Sequence, residues 1–478
     1  MSSFFLPSKP PKGDRKRKRT QLNKKKNATK QKKSTKLTNE NEEIASDSEI
    51  EEDQVAMVKD KKLRHDDNDS SSEEETAQEK RVRLAKEYIA ELEEQEKLKL
   101  DQSSIDHDAI AHRLKEDALR QSGRLLRKVA DTYVKPASDN IRILKGHRLP
   151  LTCAVVANDS QFIYSGSKDC SIIKWNVTSG KKEGVISGYF KYTEKPAEST
   201  SFPTGQVLAL AVSTDGKYLV SGGEDKMVRV WEADTLTHVK NFKGHRNAVT
   251  GLTFQQGSYE LFSCSSDRTV KIWNLDEMVY VETLFGHHDE VTAVDCLMRE
   301  RPVSSGGNDR SVRLWKVIEE TQLVFQGHKS AIDCIKLINE EHILSGSQDG
   351  SIAVWNVQKK KPLVTTSHSS EDTPPTGAGE LWVTAIATLP YTDLIASGSS
   401  DGFVRLWKCG EKFKHLQYLF SIPVRGTVNG LCFSHCGKFL VAAVGWEHRL
   451  GRWWSDKTAK NVIVLISLDR NSSEQLTK

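Results

Sequence analysis

The sequence has no apolar run of membrane-spanning length, and its opening "MSSFFLPSKPP" holds three apolar residues where a secretory core needs at least seven. That excludes a spanning helix and a signal peptide, and predicts a soluble intracellular chain with no membrane partner. Cysteine is sparse, with eight residues, all beyond position 150 and never spaced Cys-x-x-Cys. They stand in apolar runs such as "LTCAVV" and "NGLCF", which favours reduced, buried thiols over disulfides or zinc. A phosphate loop, a nucleophile elbow and an HExxH metal motif are also missing, so no cofactor, metal or small-molecule substrate is expected.

Charge is plentiful but segregated. Met1 to Lys36 carries fourteen Lys and Arg against one acid, whereas Glu40 to Glu79 carries sixteen acids against four Lys and Arg. Such blocks cannot bury a core, which predicts a disordered tail over 1–75. The basic cluster Lys12, Arg15, Lys16, Arg17, Lys18, Arg19, Lys24, Lys25 and Lys26 has the density of a nuclear import signal. Ser46, Ser48 and Ser70 to Ser72 stand among acids and suit acidophilic kinases.

Helical periodicity follows. "TAQE" has the form of a capping box ahead of Val82, Ala85, Ile89 and Leu92, and a second pattern runs from about Asp108 through Leu114, Ala118 and Leu125 to Val129 before Pro136. The resulting α-helical segment, 76–135, is too polar to stand alone and must dock on the next domain or on a partner.

From Ile141 the pattern becomes short β runs with a repeated spacing. His147, His245, His287 and His328 each follow a Gly, and an Asp follows each by 21 or 22 residues: Asp169, Asp267, Asp309 and Asp349. A Trp follows each Asp by six, giving Trp175, Trp273, Trp315 and Trp355. Asp225/Trp231 and Asp401/Trp407 keep the second half without the Gly-His, and Glu447/Trp453 is a seventh, altered copy. This grammar resembles the WD-repeat family, which implies an all-β, seven-bladed β-propeller over 140–469, preceded by the charged tail and helices and followed by a disordered 470–478. "NIRILKG" and "NVIVLISL" both compete for the outer strand of blade seven.

A Ser four residues before each Asp, namely Ser165, Ser263, Ser305 and Ser345 in the complete copies, falls on the strand entering the turn. The resemblance implies that His, Ser, Asp and Trp form one buried hydrogen-bonded chain per blade. Ser, His and Asp are also the residue types of a hydrolase triad, but a catalytic group is singular and exposed, whereas these recur and are each tied to a Trp. A non-enzymatic binding platform is expected.

Residues that follow the Gly-His or the turn Asp point to one rim: Arg148, Arg246, Lys329, Lys226, Arg268 and Arg310, with Lys168 just before its Asp and Arg425 ahead of blade seven. They are candidates for phosphate contact, or else solvated turn residues. "WEHRLGRWW" adds His448, Arg449 and Arg452 around the altered turn. Read as the inner turn and third strand of blade seven, with Ala443 at the Ser position and Trp453 packed inside, it is a repeat retuned for RNA.

"ETAQEKRVRLAKEYIAELE", "RLKEDALRQSGRL", "YVETLFGH", "INEEHILSG" and "EHRLGRWW", in this order over residues 75 to 454, resemble the WD-repeat 55K family of the U3 small nucleolar ribonucleoprotein. That resemblance implies a nucleolar protein that associates with U3 small nucleolar RNA and the particle's core proteins and works with the small-subunit processing machinery on precursor ribosomal RNA. The alternative is a WD-repeat adaptor, as a ubiquitin-ligase receptor or chromatin reader. The Arg two residues beyond Trp-Asp that marks one type of ligase receptor is missing, and the predicted rim is basic rather than acidic.

Overall fold

Short runs rich in Val, Ile and Thr, each closed by Gly, Asp or Ser, form seven antiparallel four-stranded sheets. The computed structural model describes residues 80, 82–90, 107–121, 123, 125–189, 201–368, 382–451, 455–456 and 458–470. The charged tail, its import cluster and its serines, the "TAQE" cap, Arg452, Trp453 and the stretch 471–478 lie outside them. All but Lys80 belong to the unit Val82–Lys478.

The sheets are the blades of a seven-bladed β-propeller. Their innermost strands are Leu151–Val156, Val207–Val212, Val249–Phe254, Val291–Asp295, Ile332–Asn339, Val383–Thr388 and Thr427–Phe433. One position recurs as the link between blades. The hydroxyls of Thr152, Thr250, Thr292 and Thr384 each donate to the first or second carbonyl of the next innermost strand, at Val207, Val291, Ile332 and Val428. Asn429 of blade seven closes the circle, its amide donating to the Leu151 carbonyl at 2.7 Å. Leu208 and Asp333 occupy the same position in blades two and five.

Blade seven contains both competing segments. Val462–Ser467 is its third strand and Ile141–Lys145 its outer strand, in the order Thr427–Phe433, Phe439–Gly445, Val462–Ser467, Ile141–Lys145. The blade therefore has four strands, and strand pairing between the two ends of the domain closes the ring. "EHRLGRWW" is not its third strand, which corrects the reading from the repeat spacing. Residues 446–461 are an insertion between the second and third strands. Register places Ala442, not Ala443, where the other blades carry the network Ser, and Ile466 where they carry the Trp. Both are fully buried, so blade seven replaces hydrogen bonds with aliphatic packing.

Ahead of the propeller, the second helix spans His107–Gln121 and stops short of Val129. Gly123 is left-handed (φ 72°), and the Leu125 amide turns back to the Leu119 carbonyl. The chain from 125 to 140 is then pinned across blades four to seven. Leu125 enters the core beside Leu297, Leu337 and Tyr391. Asp393 accepts from the amides of Val129 and Ala130 at 2.7 and 3.0 Å, and Tyr133 donates to the Gly437 carbonyl at 2.9 Å. Arg470, beyond the last strand, donates to the Tyr133 oxygen at 2.7 Å.

Candidate nucleic-acid interface

In blades three and four, four side chains form one chain of donors. Trp273 Nε1 donates to Ser263 Oγ at 2.8 Å, His245 Nε2 lies 2.7 Å from that oxygen, and His245 Nδ1 lies 3.0 Å from Asp267. Since Trp only donates and ionised Asp only accepts, the proton order is fixed: Trp to Ser, Ser to His Nε2, His Nδ1–H to Asp. Blade four repeats the order with Trp315, His287 and Asp309, but its serine is Ser304. Ser305, four residues before Asp309, instead bonds Thr292 at 2.8 Å. Between the end of the strand at Gly306 and Asp309 stand two residues, Gly307 and Asn308, where blade one has Lys168 alone, so counting back from Asp309 lands one residue late.

Blades one and five insert a hydroxyl. His147 reaches Ser171 at 3.0 Å and Ser171 donates to Asp169, while His328 reaches Ser351 at 3.1 Å beside Asp349. Trp175 and Trp355 donate to Ser165 and Ser345 at 2.8 and 2.7 Å. Blade six lacks a Gly-His yet has a histidine: His368 Nδ1 lies 3.0 Å from Ser397, and Arg405 bridges His368 Nε2 and Asp401, 2.6 Å from each. The Gly-His pattern does not mark it, because His368 follows Ser367 and sits ahead of the long insertion. In blade two no histidine is bonded to the network serine Ser221, and Arg229 binds Asp225 directly.

The His and Trp side chains of these networks are buried, the turn Asp169, Asp267, Asp309 and Asp349 are half-buried, and each of Ser165, Ser221, Ser263, Ser304, Ser345 and Ser397 takes a Trp N–H. Burial alone would raise the Asp309 carboxyl, but hydrogen bonds from His287 and Ser311 outweigh it and hold it at about 2. Asp267 is held low in the same way by His245, Thr269 and the Arg246 amide. Burial pushes His328 down to about 4, and His368 to about 3 with Arg405 adding to it. An unfolded chain, with histidines near 6.5, takes up protons that these folded histidines refuse, so their stability contribution is complete above that pH and is lost as pH falls toward 4. The carboxylates add further loss below about 4. Asp333 works the other way: burial raises it to about 6 against the pull of Arg449, so its share declines as pH rises from about 4 to 6. Burial raises Glu260 and Glu340 as well, so melting temperature is expected to fall between pH 7 and pH 5 because five histidines held low, His287, His328, His342, His368 and His448, at about 1.4 kcal/mol per group per pH unit, outweigh these three carboxyls. Thermal melts across that range check it; a flat profile contradicts it.

The same networks arrange the rim. The backbone N–H of Arg148 and of Arg246 donates to Asp169 and Asp267 at 2.9 Å, which sets the residue after each His beside the turn of its own blade. Lys226, Arg268 and Arg310 follow their turn Asp in left-handed conformation, with φ of 65, 69 and 53°. Arg148, Lys226, Arg246, Arg268, Arg310, Lys329 and Arg425 are all exposed on this edge. Among the described residues, one hydrogen bond is donated by a side chain of this set, from Arg310 to the Lys329 carbonyl at 3.2 Å.

Lys168, His448 and Arg449 are not part of that exposed rim. Lys168 is buried, donating to Glu447 at 2.8 Å and to the His448 carbonyl at 2.7 Å. His448 is 2% exposed and stacks on Trp382, ring centroids 4.2 Å apart; burial, with Arg449 and Lys168 nearby, pushes it to about 3. Arg449 lines the axial cavity of about 590 Å³ formed by the innermost strands, and donates to the Asp333 carbonyl at 2.9 Å. Asn429 accepts from the Arg449 amide and donates to the Glu447 carbonyl. Thus "EHR" fastens blade seven to blades one, five and six, and its charges serve packing rather than solvent. The spacing could not reveal this, because Lys168, Trp382 and Asp333 are distant in sequence. All eight cysteines are unpaired, and Cys436 alone is exposed.

Residues 138–176, 197–232, 236–274, 278–316, 319–356 and 375–408 match the WD domain, G-beta repeat model. Human U3 small nucleolar RNA-interacting protein 2 is 51% identical over 399 residues, 83% of this chain and of that protein. Ribosomal RNA-processing protein 9 of Saccharomyces cerevisiae is 25% identical, over 85% of this chain and 87% of its own. The solved structure of U3-55K has a TM-score of 0.65 at 48% identity and covers 70% of this chain and all of its own. With the insertion carrying "EHRLGRWW" and the extended N-terminal segment placed on a seven-bladed ring, the chain belongs to the family of the U3 small nucleolar RNA-interacting WD-repeat proteins.

Proposed function

We propose that this protein is a non-enzymatic component of the U3 small nucleolar ribonucleoprotein, binding U3 small nucleolar RNA together with a core protein and supporting precursor ribosomal RNA processing for the small subunit. The observation that carries the reading is the ring of seven exposed cations on one edge of the propeller, from Arg148 round to Arg425, supported by relatives whose names refer to U3 RNA and to ribosomal RNA processing. Phosphate contacts position such a protein on RNA and make its affinity salt-dependent. The Ser, His and Asp groups support a scaffold role: they are spent on holding blades, with each Ser oxygen already accepting from Trp. Work in the nucleolus, with the basic cluster Lys12 to Lys26 as an import address, accords with the same reading.

The test uses the full chain carrying Arg246→Ala, Arg268→Ala and Arg310→Ala together. Association with U3 RNA is expected to weaken at least about tenfold, and the slope of log affinity against log salt to become shallower by about 2, or 0.7 for each single-strand contact. The melting temperature should stay near wild type, since these side chains project into solvent. Full association with an unchanged slope would sink the reading.

A further inference from the structure

The cationic edge also carries aromatic side chains. Phe, Tyr or Trp side chains are prominently exposed at six described positions, and four of these lie on the edge formed by the turns between second and third strands and the connections between blades. Tyr189 (48% exposed) and Phe202 (49%) lie on the connection from blade one to blade two, joined through the Tyr189 amide and the Pro203 carbonyl. Phe285, 72% exposed, ends the outer strand of blade three, paired with Thr269 directly after Arg268. Trp446, 38% exposed, opens the blade-seven insertion.

Trp446 is held in place from below. Its amide donates to Asn461, its carbonyl accepts from the Asp456 amide, and Asn461 also donates to the Arg148 carbonyl. The next residues, Glu447 and His448, are buried in the latch described above. The indole thus stands on a rigid base next to the Arg148 backbone.

We infer that the RNA held by this edge is single-stranded where it crosses the rim, with unpaired bases stacking on Trp446 and Phe285 while Arg148 and Arg268 contact the flanking phosphates. This rests on the proposed use of the edge for RNA. An A-form duplex presents phosphates and 2′-hydroxyls with its bases already stacked, so it can use the cations but not the aromatic faces. Unstacked bases use both, and stacking is tolerant of sequence. A surface built only for duplex phosphates has no use for large apolar rings left in water, which cost free energy to solvate.

The experiment measures equilibrium binding of the full chain to a labelled uridine dodecamer and to a twelve-base-pair A·U duplex across a salt series. Trp446→Ala and Phe285→Ala are each expected to weaken the single strand about 5- to 100-fold with an unchanged salt slope, while duplex binding stays within about twofold. Trp446→Phe should restore most of the loss, which separates stacking from collapse of the insertion; Phe285, largely in solvent, is the second probe free of folding effects. Arg148→Ala and Arg268→Ala should weaken both ligands and flatten the slope by about 0.7 for the single strand. If the arginine variants act and the aromatic variants do not, the rim binds phosphates alone: the stacking inference is overturned and the RNA reading stands. Equal losses for duplex and single strand in the aromatic variants also overturn it. If neither arginine variant changes affinity or slope, the RNA reading itself fails, and the exposed rings become candidates for a protein partner.

Discussion

Ser304→Ala is expected to cost about 2 to 6 kcal/mol, whereas Ser305→Ala, one residue away, should cost no more than about 1. The difference follows from what each hydroxyl leaves behind. Among the described residues, Ser304 is the hydrogen-bond partner of both Trp315 Nε1 and His287 Nε2, at 2.8 Å each, and all three side chains are buried. Removing it strands two buried polar groups, each at about 1 to 3 kcal/mol, and breaks the link from Trp315 to His287. Ser305 bonds Thr292, which keeps the carbonyls of Ile332 at 2.8 Å and Ser305 at 3.1 Å. Against a typical total stability of about 5 to 15 kcal/mol, the first variant loses a large share and the second little. Urea denaturation of the two proteins decides it: similar midpoints would mean the blade-four network contributes nothing beyond packing.

Glu447→Ala is the second large effect, at about 3 to 5 kcal/mol. Glu447 and Lys168 side chains are 6% and 7% exposed, and their 2.8 Å contact joins the blade-seven insertion to the turn of blade one. Without the carboxylate, the Lys168 ammonium stays buried with, among the described residues, the His448 carbonyl as its partner. Making Lys168→Met in the same protein removes the stranded charge and should recover much of the loss, because an apolar pair of similar size has no desolvation penalty to overcome. A single variant as stable as wild type, or a double variant no better than the single, would show that water reaches this pair. The result also bears on "EHRLGRWW": instability from Glu447 marks its first residues as a latch between blades and leaves the exposed rim and Trp446 as the surface for the proposed RNA contact.

The fold was legible in the sequence because its signal is local and repeated. Asp and Trp six apart are joined by one tight turn and one strand, and a spacing that short survives unchanged from blade to blade. Charge at turn positions was legible for the same reason: Arg268 and Arg310 follow an Asp whose turn puts the next residue in left-handed backbone at the edge. Where a single residue altered the local count, the reading slipped. The longer turn before Asp309 moved the network serine to Ser304, and a histidine without its Gly hid His368.

Blade seven and the residues of "EHR" were beyond such reasoning. Whether Glu447, His448 and Arg449 face solvent or core depends on Lys168, Trp382 and Asp333, which stand 279, 66 and 116 positions away and meet them only once the ring closes. Ring closure itself pairs Ile141–Lys145 with Val462–Ser467. Residue types and short-range spacing thus specified six similar units and a cationic edge, since each is built from neighbours in the chain. The assignment of particular charges to latch or rim was made by contacts between distant blades, where burial in a low-dielectric ring turns a lysine, a histidine and an arginine from binding groups into fasteners.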